Sequence, residues 1–235
     1  MPLLTIVAFT LVVVHASVSL GRPRMLLLLG LTYVVSILFE SIGVATGWVY
    51  GPYHYTDQLG PQFLGLVPYL IPLAWFMMIY PAQMIVEGLL SDRLAAGWRG
   101  VWQMALMSAV VMTAWDMIMD PIMVRMGFWV WEVEGAYFGV PLHNYAGWLV
   151  TTFTVFLLYR LIAPRLGRTP DIIVPRSLIP QAAWSYSITW TSNTLAAIQM
   201  NLIGPAFVGM LSAGVFILIG VLGSSGGGSS KVGEN

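Results

Sequence analysis

Asp116 and Asp120 lie inside the apolar run VWQMALMSAVVMTAWDMIMDP, and Glu40 lies inside a second such run. A spacing of four residues sets the two aspartates on one face of a helix, one turn apart. A carboxylate in the middle of a membrane-spanning helix costs roughly 2.5–3.5 kcal/mol on insertion scales. Three facing lipid would cost on the order of 8–10 kcal/mol, comparable with the stability of a whole domain. The acids must therefore face one another, a cavity or a polar ligand. Close carboxylates cannot all ionise in a low dielectric, so at least one keeps its proton near neutral pH. A carboxylic acid held beside a carboxylate is an acid/base pair.

The scaffold that positions them is apolar throughout. Of 235 residues 58% are hydrophobic and 9% charged, with a mean hydropathy of +0.80, whereas a soluble domain carries about 25% charged residues. The composition reads as an integral membrane protein surrounded by lipid, expected in a bacterial inner membrane. A net charge of zero implies no nucleic-acid partner. The absence of cysteine excludes thiolate nucleophiles and iron–sulfur ligands. The first apolar run, 2–20, lacks the basic start of a secretory signal and reads as a retained helix.

A span needs about 20 apolar residues. Seven are read at 2–20, 25–47, 64–90, 101–121, 142–162, 179–200 and 203–222. The fold class is all-α: one polytopic helix bundle over 1–222, followed by a flexible Gly/Ser-rich tail, 223–235. Arg22, Arg24, Arg93, Arg99, Arg160, Arg165, Arg168, Arg176 and Lys231 fall on one set of alternate loops or flanks, and Arg125 alone on the other. Positive charge stays inside, which places the N-terminus outside.

Two longer outer loops, WVYGPYHYTDQLGP (48–61) and RMGFWVWEVEGAYFGVP (125–141), are dense in Trp and Tyr. Trp48 and Trp129 suit an aromatic belt at the headgroups. The repeated Gly and Pro go further and read as ordered, re-entrant or hairpin loops covering something. Glu40 is about seven residues, roughly 10 Å, below that surface. Pro121 should end or kink the fourth span at Asp120. Asn193 and Gln199 fall in the outer half of span six; Asn193 and Thr191 read as hydrogen bonds between helices. The acids should share one pocket beneath the aromatic loops.

Other chemistries of seven-span proteins fit poorly. A retinal protein needs a lysine within a span, and Lys231 is in the tail. A membrane di-iron enzyme needs many histidines, but His15, His54 and His143 are far apart in sequence. His15 reads as a satisfied core residue. DMIMD is half of an Asp-rich diphosphate signature whose second half is missing. A charge-relay transporter would need an inverted repeat and polar groups continuing to the inner face.

GPYHYTDQLGP (51–61), VPYLIPLAW (67–75), WDMIMDPIMVRMGFWVW (115–131) and GAYFGVPLHNYAGW (135–148) together resemble the carotenoid end-group hydratase family, which includes bisanhydrobacterioruberin hydratase. The resemblance covers roughly residues 30–165. It implies a carotenoid-biosynthesis membrane protein that adds water across the terminal double bond of a linear carotenoid. That reaction needs a proton delivered to carbon, a tertiary cation and its capture by water, with no metal or redox cofactor. Asp116 or Asp120 is the candidate acid, with Glu40 as its partner or as the base that orients water. Tyr53, Tyr55, Trp115, Trp129, Trp131 and Tyr137 are candidates for gripping substrate and facing the cation. Asn144 and His143 are candidates for holding the water. A second reading is a structural subunit that binds a carotenoid unchanged beside other subunits of a membrane pigment–protein complex.

Overall fold

A computed structural model describes residues 2–90, 97–166 and 179–225. Seven helices follow one another: α1 (Pro2–Leu20), α2 (Arg22–Thr46), α3 (Leu70–Leu90), α4 (Trp98–Arg125), α5 (Leu142–Ile162), α6 (Ile179–Gln199) and α7 (Ile203–Ser225). The first five are long and apolar enough to cross a membrane, which defines an integral membrane helix bundle. Ser, Thr and Asn dilute α6. Arg93, Arg168, Arg176, Lys231 and most of the tail lie outside the described residues; α7 runs three residues into the tail, to Ser225.

The bundle is apolar outside, and within its mostly apolar core it also buries polar side chains. Leu3, Val34, Leu38, Val150 and Leu195 are exposed, whereas Ser19, Thr32, Ser36, Gln83, Ser108 and Thr152 are buried. Apolar faces suit a hydrocarbon solvent, which cannot satisfy polar groups. Buried hydroxyls on these helices turn back on their own chain: Thr32 donates to the Leu28 carbonyl at 2.8 Å and Thr152 to that of Trp148 at 2.7 Å. Small residues permit close approach. A Cβ on Gly43 would lie 2.7 Å from the Tyr50 ring, and one on Gly147 would lie 2.3 Å from the Val49 carbonyl oxygen. Tyr50 is thereby clasped between α2 and α5, and its hydroxyl meets that of Thr151 at 3.0 Å.

Three helix limits differ from the sequence reading. Helix α2 starts at Arg22 because Pro23 suits a first helical turn. Residues 64–68, expected in span three, belong instead to a small antiparallel hairpin of β2 (Gln62–Phe63) and β3 (Val67–Pro68). Helix α4 neither ends nor breaks at Pro121 but continues to Arg125. A proline there cannot donate to the carbonyl four residues earlier, that of Met117. The Tyr137 hydroxyl takes that role, donating to the Met117 oxygen at 2.9 Å.

The two aromatic loops are ordered, and they pair with each other. Strand β1 (Tyr53–Tyr55) runs antiparallel to β4 (Trp129–Trp131), with Tyr53 opposite Trp131 and Tyr55 opposite Trp129. Alternation along a strand puts these four rings on one face. His54 and Val130 point the other way and are exposed.

Candidate active site: a carboxylate and tryptophan cavity

Glu40, Asp116 and Asp120 are all buried, at 4%, 0% and 1% exposure. The β1–β4 pair positions the donors to two of them. Tyr53 and Tyr55, two residues apart on β1, both donate to Glu40 Oε2, Tyr55 at 2.9 Å, while Trp75 Nε1 on α3 donates to Oε1 at 3.2 Å. Across the ladder, Trp129 Nε1 donates to Asp120 Oδ1 at 2.6 Å. The Tyr55 and Trp129 rings meet edge to face at 5.9 Å, so one aromatic pair links the glutamate to the aspartates. Burial, and then the charge of Glu40, pushes the phenols of Tyr53 and Tyr55 well above their ordinary range, so both stay donors at neutral pH.

Asp116 and Asp120 meet through Asn144 of α5. Its Nδ2 donates to Asp116 Oδ2 at 3.1 Å and to Asp120 Oδ2 at 2.6 Å. Both carboxyl oxygens thus lie within reach of one nitrogen. Asp116 Oδ1 and the indole nitrogen of Trp115 are buried without a hydrogen bond among the described residues, and the Trp131 indole is turned toward Asp120.

A cavity of about 370 Å³ opens beside these groups. Glu40, Asp120 and Asn144 line it with Tyr53, Tyr55, Trp115, Trp129 and Trp131, between walls that are mostly apolar. On one side Trp75 and Trp148 stack at 4.2 Å with their planes 13° apart, and Trp115 leans on Trp148 at 6.5 Å. Asp116 stands just behind the wall, bonded through Asn144.

Of the candidate site residues singled out in the sequence, His143 and Tyr137, besides Asp116 behind it, do not join the cavity wall. His143 is exposed: it precedes Asn144 on α5, and one step along a helix turns a side chain by about 100°. Tyr137 is spent on the Met117 carbonyl. His54, on the outer face of β1, meets Glu132 at 3.3 Å, and His15 meets the Tyr80 hydroxyl at 2.7 Å. Asn193, read as helix glue, instead lines the cavity with its Nδ2 unpaired among the described residues. Sequence reasoning passed over Trp75, Trp148 and Tyr50. Trp75 ends the VPYLIPLAW segment and Trp148 ends NYAGW, and nothing in their spacing tells a wall from a belt.

Polar side chains also continue beyond the cavity. Gln83 is buried on α3, and Arg160 of α5 reaches Glu87 of α3 at 2.8 Å. Gln83 and Glu87 lie one turn apart on α3, and Arg160 joins them from α5.

Fold and site together define a polytopic membrane protein with an acid-lined aromatic cavity. The family model of carotenoid biosynthesis proteins matches residues 1–216, and the chain belongs to that family. It is 37% identical over 142 residues to a bisanhydrobacterioruberin hydratase of Haloarcula japonica. That match covers 59% of this chain and 47% of the relative, so it spans about half the relative's length. No solved structure matches.

Proposed function

We propose that the protein hydrates the terminal double bond of a linear carotenoid, with Asp116 and Asp120 as the proton source. The observation that carries this reading is the Asn144 bridge: one amide nitrogen serves two buried carboxyls, Asp120 in the wall of a tryptophan-lined cavity and Asp116 just behind it. Two carboxyls sharing one donor in a dry site cannot both hold charge, so the pair keeps a proton to give.

The proton adds to the CH carbon of a terminal dimethyl-substituted alkene, and the π pair forms the new C–H bond. The tertiary cation left on the neighbouring carbon lies against the faces of Trp115, Trp75 and Trp148. Glu40, which accepts from Tyr53, Tyr55 and Trp75, supplies fixed negative charge. Water adds to the cation through oxygen and loses a proton to a carboxylate, which restores the acid. On this reading the Asn193 amide, which lines the cavity with its Nδ2 unpaired among the described residues, holds that water. Proton and hydroxyl both come from one water, so the cycle balances without any electron transfer. The hairpin end of the bundle, with its single Arg125, faces outward on this reading.

The test is substitution. Asp116→Asn and Asp120→Asn keep shape and remove the acid, and at least one should lower turnover by about a hundredfold or more, the usual scale of general-acid catalysis. Full turnover of a linear carotenoid by both variants would exclude the aspartate pair as proton source.

A further inference from the structure

The cavity is not closed on every side. Its wall runs from Trp115 and Asp120 out to Leu4 and Ala8 of α1 and to Ile188 and Ser192 of α6. Leu4 is 70% exposed and Ile188 63%, so the wall reaches the lipid-facing surface. Helices α1 and α6 both pack on α3; they meet where His15 bonds Gln181, away from Leu4, Ala8, Ile188 and Ser192, and otherwise touch little among the described residues. Between them the floor is α3, where Ala74 and Met77 line the same cavity. Toward the loops the situation is reversed, because the β1–β4 ladder lays four aromatic side chains against the cavity.

Size decides what such an opening admits. A cavity of about 370 Å³ lies at the low end of the roughly 300–1,000 Å³ of small-molecule sites. It holds one branched end of a long polyene and leaves the rest outside. A hydrocarbon of that kind is dissolved in the bilayer core and meets the protein from the side, where exposed apolar residues form both edges of the gap.

We propose that the cleft between α1 and α6 is a lateral portal. Through it the end of a linear carotenoid passes from the bilayer to the carboxylates, while the remaining polyene lies in the groove floored by Ala74 and Met77. This rests on the carotenoid reading above but makes a claim about binding that turnover does not decide. Ala8 and Ala74 are small where the chain must pass, and a large side chain at either would close the passage.

The chain has no cysteine, so single thiols report their own surroundings. Ala8→Cys and Ile188→Cys place one on each edge, and Ile6→Cys places one on the opposite face of α1, where Ile6 is 48% exposed. Each variant in liposomes is labelled with a lipid-soluble maleimide, with and without lycopene. Lycopene should slow labelling severalfold at positions 8 and 188 and leave position 6 unchanged. A bulky adduct at position 8 should abolish the quenching of tryptophan fluorescence by added lycopene. Equal labelling with and without lycopene at positions 8 and 188 overturns the portal. Hydration measured on the same preparations separates the two ideas. Protected thiols without any hydration keep the portal and sink the hydratase reading, whereas hydration with unprotected thiols sinks the portal alone.

Discussion

Tyr137→Phe separates structural from substrate-binding roles at this site. The Tyr137 hydroxyl donates to the Met117 carbonyl at 2.9 Å, and the residue four places on from Met117 is Pro121, which has no N–H to offer. Removing the hydroxyl leaves that carbonyl without a donor, at a cost of about 1–3 kcal/mol for an unsatisfied buried group. In a Pro121→Ala background the helix regains its own donor to Met117. There the same Tyr137→Phe change should cost under about 0.5 kcal/mol, so the pair couples by at least roughly 0.5 kcal/mol. The assay is reversible unfolding in mixed micelles, followed by circular dichroism, for the four proteins of the cycle. Equal losses in both backgrounds would show that the hydroxyl does not serve Met117. Tyr137→Phe should also keep most of its turnover, since Tyr137 does not line the cavity. A stable variant without activity would return Tyr137 to the substrate-contacting residues.

Gly147→Ala should lower stability by about 1–3 kcal/mol, because the new methyl meets the Val49 carbonyl oxygen at 2.3 Å and the Tyr50 ring at 2.5 Å; an unchanged unfolding midpoint would mean that α2 and α5 are less closely packed. Alkaline pH should destabilise the loop end. Burial pushes Tyr137 up to about 12 and pushes Tyr53 and Tyr55 up as well, so the folded state holds their protons more tightly than the unfolded chain, where tyrosine titrates near ~10. The stabilisation they give is complete below that value and falls as pH rises toward 12. Unfolding midpoints should stay flat in this respect from neutrality to the onset of tyrosine ionisation and decline above it, and a midpoint that rises there would reverse the sign.

Much of the fold was legible because a bilayer asks for one simple signal. Runs of apolar residues gave the five long helices, and α5 falls on the expected 142–162. The acids were legible for the same reason, since three carboxyls in apolar runs have few places to go. Their company was harder to read. Asn144 and Trp129 were candidates, but the pairing of β1 with β4, which puts Tyr55 beside Trp129, joins loops more than seventy residues apart. No local pattern specifies such a partner. Pro121 does not end α4, because a helix passes a proline when a side chain from elsewhere takes up the freed carbonyl, and Tyr137 comes from outside the helix. His143 misled by adjacency: next to Asn144 in sequence, it lies on the exposed side of α5. Trp75 and Trp148 stayed hidden because tryptophan is equally at home in a membrane belt and in a cavity wall.

On the proposed mechanism water is the source of both groups added to the alkene, its proton passing through the carboxyl pair. Purified protein incubated with lycopene in heavy-oxygen, deuterated water tests it in one mass spectrum. The account predicts that each reacted end gains one labelled hydroxyl oxygen and one carbon-bound deuterium on the neighbouring carbon, at the same rate in air and under argon. Product oxygen arriving unlabelled from the gas phase, or a hydroxyl without the paired deuterium, would contradict it.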